Sequence, residues 1–136
     1  RAYAKKVSAG LAIIDKRRVS PEKAEAMHIM GEVEGKNVII VDDMIATGSS
    51  LIEAVEALKN AKAKTIYAAI THGILSGPAI QRISQCSGLE KLLISDSVPL
   101  AEEKRNPKIQ VLSVANLLAE AIKRIHNEES VSCLFD

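Results

Sequence analysis

Cysteine is scarce. The chain has only 2, Cys86 and Cys133, far apart and without metal-ligand spacing. That argues against a disulfide framework or a thiolate metal centre and suits a reducing cytoplasm. Excess charge of one sign is also missing. Against 18 Lys+Arg stand 17 Asp+Glu, a formal net charge of +1, so no overall field recruits nucleic acid or a membrane surface. Any anion has to be bound locally. No apolar run approaches the ~18 residues of a membrane span, no charged-then-apolar leader opens the sequence, and there is no internal repeat or low-complexity segment. What is there is a chain of 136 residues, 47% of them hydrophobic, which suits one globular domain able to bury a core.

Short β-branched runs alternate with helical periods. Residues 11–15, 37–43, 64–71, 91–95 and 109–114 read as strands. The second and third are so continuously apolar that burial on both faces is expected. "SSLIEAVEALKNAKA" repeats apolar residues at Leu51, Ile52, Val55 and Leu58 and reads as an amphipathic helix, as do "GPAIQRISQC" and "NLLAEAIKRIH". The opening "RAYAKKVSAG" reads as the end of a helix already under way, closed by Gly10. This alternation implies a doubly wound α/β fold: a mostly parallel twisted sheet of about five strands with helices on both faces. Residues 15–27, polar and basic with Pro21, are the exception and are expected to form a flexible loop.

The chemistry concentrates in "NVIIVDDMIATGSSL". Ligands of open α/β sheets bind beyond the carboxyl ends of the strands, where Asp42 and Asp43 fall. Ala46, Thr47, Gly48, Ser49 and Ser50 follow, small or hydroxylic, leading into a helix that starts near Ser49. Free backbone amides and the helix dipole there suit a phosphate monoester. A carboxylate beside it accepts from the vicinal hydroxyls of a sugar or holds magnesium through water. A single Asp followed by Thr and Ser is commonly no more than a helix cap; the whole arrangement is more specific.

"VIIVDDMIATGSSL" resembles the phosphoribosyl-pyrophosphate binding signature of the type I phosphoribosyltransferase fold. "LAIIDKRR" before it, "THGILSGPAIQRI" after it and the terminal "SVSCLF" together resemble the C-terminal half of ribose-phosphate pyrophosphokinases. That resemblance implies one phosphoribosyltransferase-like domain of a two-domain chain and an enzyme of nucleotide biosynthesis in the cytoplasm. The reaction would be transfer of the pyrophosphoryl group of Mg2+-ATP to ribose 5-phosphate, giving phosphoribosyl pyrophosphate and AMP. By the same resemblance the 5-phosphate sits on Ala46, Thr47, Gly48, Ser49 and Ser50, and the ribose hydroxyls on Asp42 and Asp43. Lys16 and Arg18 in the flexible basic loop 15–27 are catalytic, Ser130 and Ser132 belong to an allosteric phosphate site, and the chain assembles as a homo-oligomer, a hexamer built from dimers. The chain departs from the usual synthetase pattern at Ala46, where a third acid is common, and at Ser49 and Ser50, where Gly and Thr are common.

Two other classes stay open at this level. A phosphoribosyltransferase acting on a nucleobase shares the central signature and often has an alanine where Ala46 stands. A non-catalytic synthetase-associated subunit that senses ribose phosphate would be signalled by lesions at Lys16, Arg18, Asp42 or Asp43, all of which are intact. His72 is expected in a structural or indirect role near the site, His28 and His126 as surface residues of a loop and a helix, and residues 131–135 as a packed tail.

Overall fold

The computed structural model describes residues 2–17 and 26–135. Its framework is a four-stranded sheet of β3 (Asn37–Ile45), β4 (Thr65–Gly73), β5 (Leu89–Ser95) and β6 (Ile109–Leu112), with the strands in that order and every pair parallel. The crossovers carry α2 (Ser49–Asn60) between β3 and β4 and α3 (Ala79–Gln85) between β4 and β5. Strands added one after another to the same edge leave consecutive crossover helices on one face, and the core lies there. Leu51, Val55 and Leu58 of α2 and Ala79 and Ile83 of α3 cover Ile66, Ala68 and Ile70 of β4 and Leu89, Leu92 and Ile94 of β5.

The α/β class is the expected one, but the sheet has four strands rather than five, in sequential order. The first expected strand instead forms an antiparallel hairpin, β1 (Ile13–Arg17) with β2 (Ala26–Met30). Only its apolar half contributes to the core: Ile14 and Ile29 face each other across the hairpin and pack against it. Asp15, Lys16 and Arg17 are too polar for a strand between two helical layers. The expected loop 15–27 is thus paired at both ends, as β1 runs to Arg17 and β2 starts at Ala26, while residues 18–25 lie outside the described residues.

Burial of β3 on both faces is not observed. β3 is an edge strand; Val38 and Ile40 pack against the core, whereas Ile39 (59% exposed) and Val41 (46%) occupy the opposite face. In the central β4 the same alternation leaves Tyr67 and Ala69 half-buried. The first helix, α1 (Ala2–Lys6), ends at Ser8 rather than Gly10: Ser8 has φ 50, its amide donates to the Lys5 carbonyl (3.2 Å) and the Ala9 amide to the Ala4 carbonyl (2.9 Å). This is a Schellman cap with serine at the left-handed position.

The last helix, α4 (Ala115–His126), buries no residue. The tail is not packed as expected either, since Phe135 is 65% exposed. Among the described residues no helix is long and apolar enough to cross a membrane.

Candidate functional site

The carboxyl ends of β3, β4 and β5 form one edge, and the segment linking β3 to α2 is tied along it. The Ile45 carbonyl accepts from the Ile74 (3.0 Å) and Leu75 (3.2 Å) amides, the Ala46 carbonyl from the Ser76 amide (2.9 Å), and the Thr47 carbonyl from Arg82 Nη1 (2.9 Å). Three successive carbonyls are therefore turned toward the loop after β4 and toward α3. No described peptide is cis. In a trans peptide the N–H opposes the carbonyl of the preceding residue, so the Ala46, Thr47 and Gly48 amides are directed the other way.

Gly48 completes the turn. Its φ of 78° and ψ of −3° are left-handed, it is the N-cap of α2, and it has no side chain to cap the first turn. The leading amides of α2 therefore keep their hydrogen-bonding capacity, and no acidic residue stands in that first turn to oppose the dipole's positive end. Thr47 Oγ1 lies 3.2 Å from Ser49 Oγ, so two hydroxyls flank the glycine. Thr47 and Ser50 are exposed and Ser49 is half-buried. These amides and hydroxyls make a cradle for a tetrahedral anion.

Asp42 and Asp43 both lie on β3, which continues two residues past them to Ile45; the expected strand end was Asp43. Both are exposed, and Asp42 Oδ1 accepts from the Asp43 amide at 2.9 Å. Neighbours on a pleated strand lean to opposite faces, so a diol held by both has to lie across the strand end. Lys16 is placed by its backbone opposite Met27 in the hairpin, its side chain being outside the description. Arg18 lies outside the described residues. His28 proves to be on β2, not in a loop.

Ser130 and Ser132 stand apart in the turn after α4, where Ser130 Oγ accepts from the Ser132 amide at 3.2 Å. The nearby Arg124 donates to the Ser130 carbonyl but is also paired with Glu120 (3.0 Å) and Glu129 (3.7 Å). Much of its charge is thereby compensated.

Sequence reasoning missed Arg82. The half-buried guanidinium anchors the cradle from α3 through one of its donors. A contact 35 residues away to a backbone carbonyl leaves no pattern in one sequence. It also missed that Asp96, after β5, accepts from the Val114 amide at 2.9 Å. Hydrogen bonds from the Ser113 hydroxyl and the Val114 amide hold the Asp96 carboxyl below its usual value.

A parallel α/β sheet with acids and a glycine-opened helix N-terminus at the carboxyl ends of its strands has the layout in which open α/β proteins bind their ligands. The chain matches the phosphoribosyl synthetase-associated domain over residues 2–136 and belongs to that family. It is 53% identical, over 99% of its length, to a ribose-phosphate pyrophosphokinase of Caldanaerobacter subterraneus subsp. tengcongensis, covering 42% of that protein. It is 46% identical, also over 99% of its length, to a ribose-phosphate pyrophosphokinase of Synechococcus elongatus, covering 41% of it. The crystal structure of phosphoribosylpyrophosphate synthetase from Mycobacterium smegmatis superposes with a TM-score of 0.83 at 37% identity, over 93% of this chain and 40% of that one. The chain thus spans about two-fifths of the length of these relatives.

Proposed function

We propose that this chain supplies the ribose 5-phosphate site and the basic catalytic segment of an enzyme that transfers the pyrophosphoryl group of Mg2+-ATP to ribose 5-phosphate. The products are phosphoribosyl pyrophosphate and AMP. The observation that carries the reading is the run of three carbonyls, Ile45 to Thr47, tied inward beside a left-handed Gly48, which turns the opposing amides outward at a helix N-terminus. Relatives named ribose-phosphate pyrophosphokinase supply the reaction.

In this reading the 5-phosphate lies on residues 46–50, and Asp42 and Asp43 accept from the ribose diol. These contacts exist before reaction and orient the anomeric hydroxyl. Charge grows on the bridging and terminal oxygens during pyrophosphoryl transfer, and Lys16 and Arg18 neutralise it. Magnesium takes oxygen donors and retains water. The two exposed carboxylates, Asp42 and Asp43, suit that. The ion would lower the charge on the phosphate oxygens. The reading includes a cytoplasmic homo-oligomer, supported by the apolar surface of α4, where Leu118, Ile122 and Ile125 are exposed.

The test is product formation by the full-length protein. Mg2+-ATP with ribose 5-phosphate should give AMP and phosphoribosyl pyrophosphate in equal amounts. Turnover seen only with phosphoribosyl pyrophosphate and a nucleobase would replace this reading with a base-transferring one.

A further inference from the structure

At the same edge a row of polar contacts remains that the reaction above does not use. His72 Nδ1 is 2.8 Å from Ser97 Oγ, Ser97 Oγ is 2.8 Å from Ser95 Oγ, and Ser95 Oγ is 2.7 Å from the Thr71 carbonyl oxygen. The Ser97 amide donates to Ser95 Oγ at 3.1 Å. Ser95 is buried, so its hydroxyl depends on these partners.

Each hydroxyl carries one proton, and the carbonyl only accepts. That count sets the direction of the row. The Ser95 proton is shared between the Thr71 carbonyl and Ser97 Oγ, the Ser97 proton goes to the Thr71 carbonyl at 3.2 Å, and the contact with His72 then needs a proton on Nδ1. Suppose instead that Nδ1 accepted. Ser97 would give its proton to the ring, and its 3.2 Å contact with the Thr71 carbonyl would lose its donor. One pair of oxygens would then face each other with lone pairs only.

The neutral ring therefore holds its proton on Nδ1 and a lone pair on Nε2, which has no partner among the described residues. His72 is exposed and stands beside Met44 of β3, two residues beyond the pairing of Asp42 with Ile70. It is on the strand next to the acids and at the same end of the sheet.

We infer that His72 contacts the sugar phosphate, accepting a hydrogen bond at Nε2 from its anomeric hydroxyl, with Ser97 and Ser95 as positioning residues that fix the tautomer. The inference rests on the sugar-phosphate reading of the site. With Asp42 and Asp43 taking the diol, the anomeric hydroxyl is the one whose proton still lacks an acceptor.

Two measurements on the full-length protein test it. Long-range 1H–15N correlation of the histidine rings, with His72 identified by its loss in His72→Asn, should show Nδ1–H, and Ser97→Ala should shift the ring toward a mixture with Nε2–H. Calorimetric titration with ribose 5-phosphate is the second. Asparagine keeps a donor at the Nδ1 position but has nothing at Nε2, so His72→Asn should retain the wild-type melting temperature and bind about fivefold more weakly, the worth of a neutral hydrogen bond. His72→Gln, whose amide reaches the Nε2 position, should recover part of the loss. If His72→Asn does not fold, Ser97→Ala carries the titration and should bind about twofold more weakly. Nε2–H in the wild-type protein, or unchanged affinity in the folded variant tested, overturns the inference and leaves the site reading standing. A wild-type protein that does not bind ribose 5-phosphate overturns both.

Discussion

Replacing Gly48 with alanine separates the two things this residue is asked to do. A methyl group has room: a Cβ built there meets only Ala79, at 3.7 Å from Cα and 3.9 Å from Cβ and the carbonyl oxygen, which are ordinary contacts. The cost is in the backbone, because φ is 78°, and an L residue in the left-handed region loses about 1–2 kcal/mol. Gly48→Ala should therefore destabilise the protein by about that amount in urea denaturation, with an unchanged m-value. Gly35 provides the comparison. It has φ 69° with nothing within 4 Å of a built Cβ, and it precedes β3 at the sheet's other end. Gly35→Ala should cost about the same stability. Only Gly48→Ala should also weaken ribose 5-phosphate binding in calorimetry, by about tenfold, as the strained turn misdirects one charge-assisted amide contact. Equal affinities for the two variants would refute the cradle. A stability unchanged by Gly48→Ala would refute the strain argument.

Lys16→Ala should lower kcat about a hundredfold, on the order of 3 kcal/mol, with little effect on the KM for ribose 5-phosphate; Asp42→Ala should raise that KM because its contact already exists in the ground state. Steady-state kinetics distinguish the two, and a silent Lys16→Ala would remove the basic segment from catalysis. Leu58, 1% exposed between α2 and the sheet, should cost about 2–5 kcal/mol as alanine in denaturant titration. The Asp96 carboxyl is lowered by the Ser113 hydroxyl and the Val114 amide. The stability it contributes is present above the unfolded carboxylate value, roughly pH 4, and is lost as pH falls through the lower folded value. Asp96→Asn should therefore flatten the acid limb of the stability curve below about pH 5, whereas parallel curves for variant and wild type would contradict that role.

The parallel character of the sheet formed by β3 to β6 and the start of α2 at Ser49 were legible because apolar run length and helical period reflect local chain geometry. The position of β1 was not. "LAIID" reads as a strand wherever it pairs, and only the tertiary partner, β2, decides between a sheet and a hairpin. Continuous apolarity in β3 suggested two covered faces, but which face a helix covers is a property of the whole topology, and Ile39 and Val41 are exposed because α2 and α3 pack on the opposite face. Gly10 looked the better helix stop; Ser8 took the left-handed position instead. At the candidate site, the acids and the glycine turn were visible as a local motif. Arg82 and the Ser95–Ser97–His72 row were not, since each joins residues far apart in sequence through a backbone carbonyl or a hydroxyl.

A crystal of the full-length protein soaked with ribose 5-phosphate tests the central claim most directly. The phosphate should lie against the amides of residues 47–50, with Arg82 still on the Thr47 carbonyl and the ribose diol at Asp42 and Asp43. A sugar phosphate bound elsewhere while this turn stays empty would contradict it.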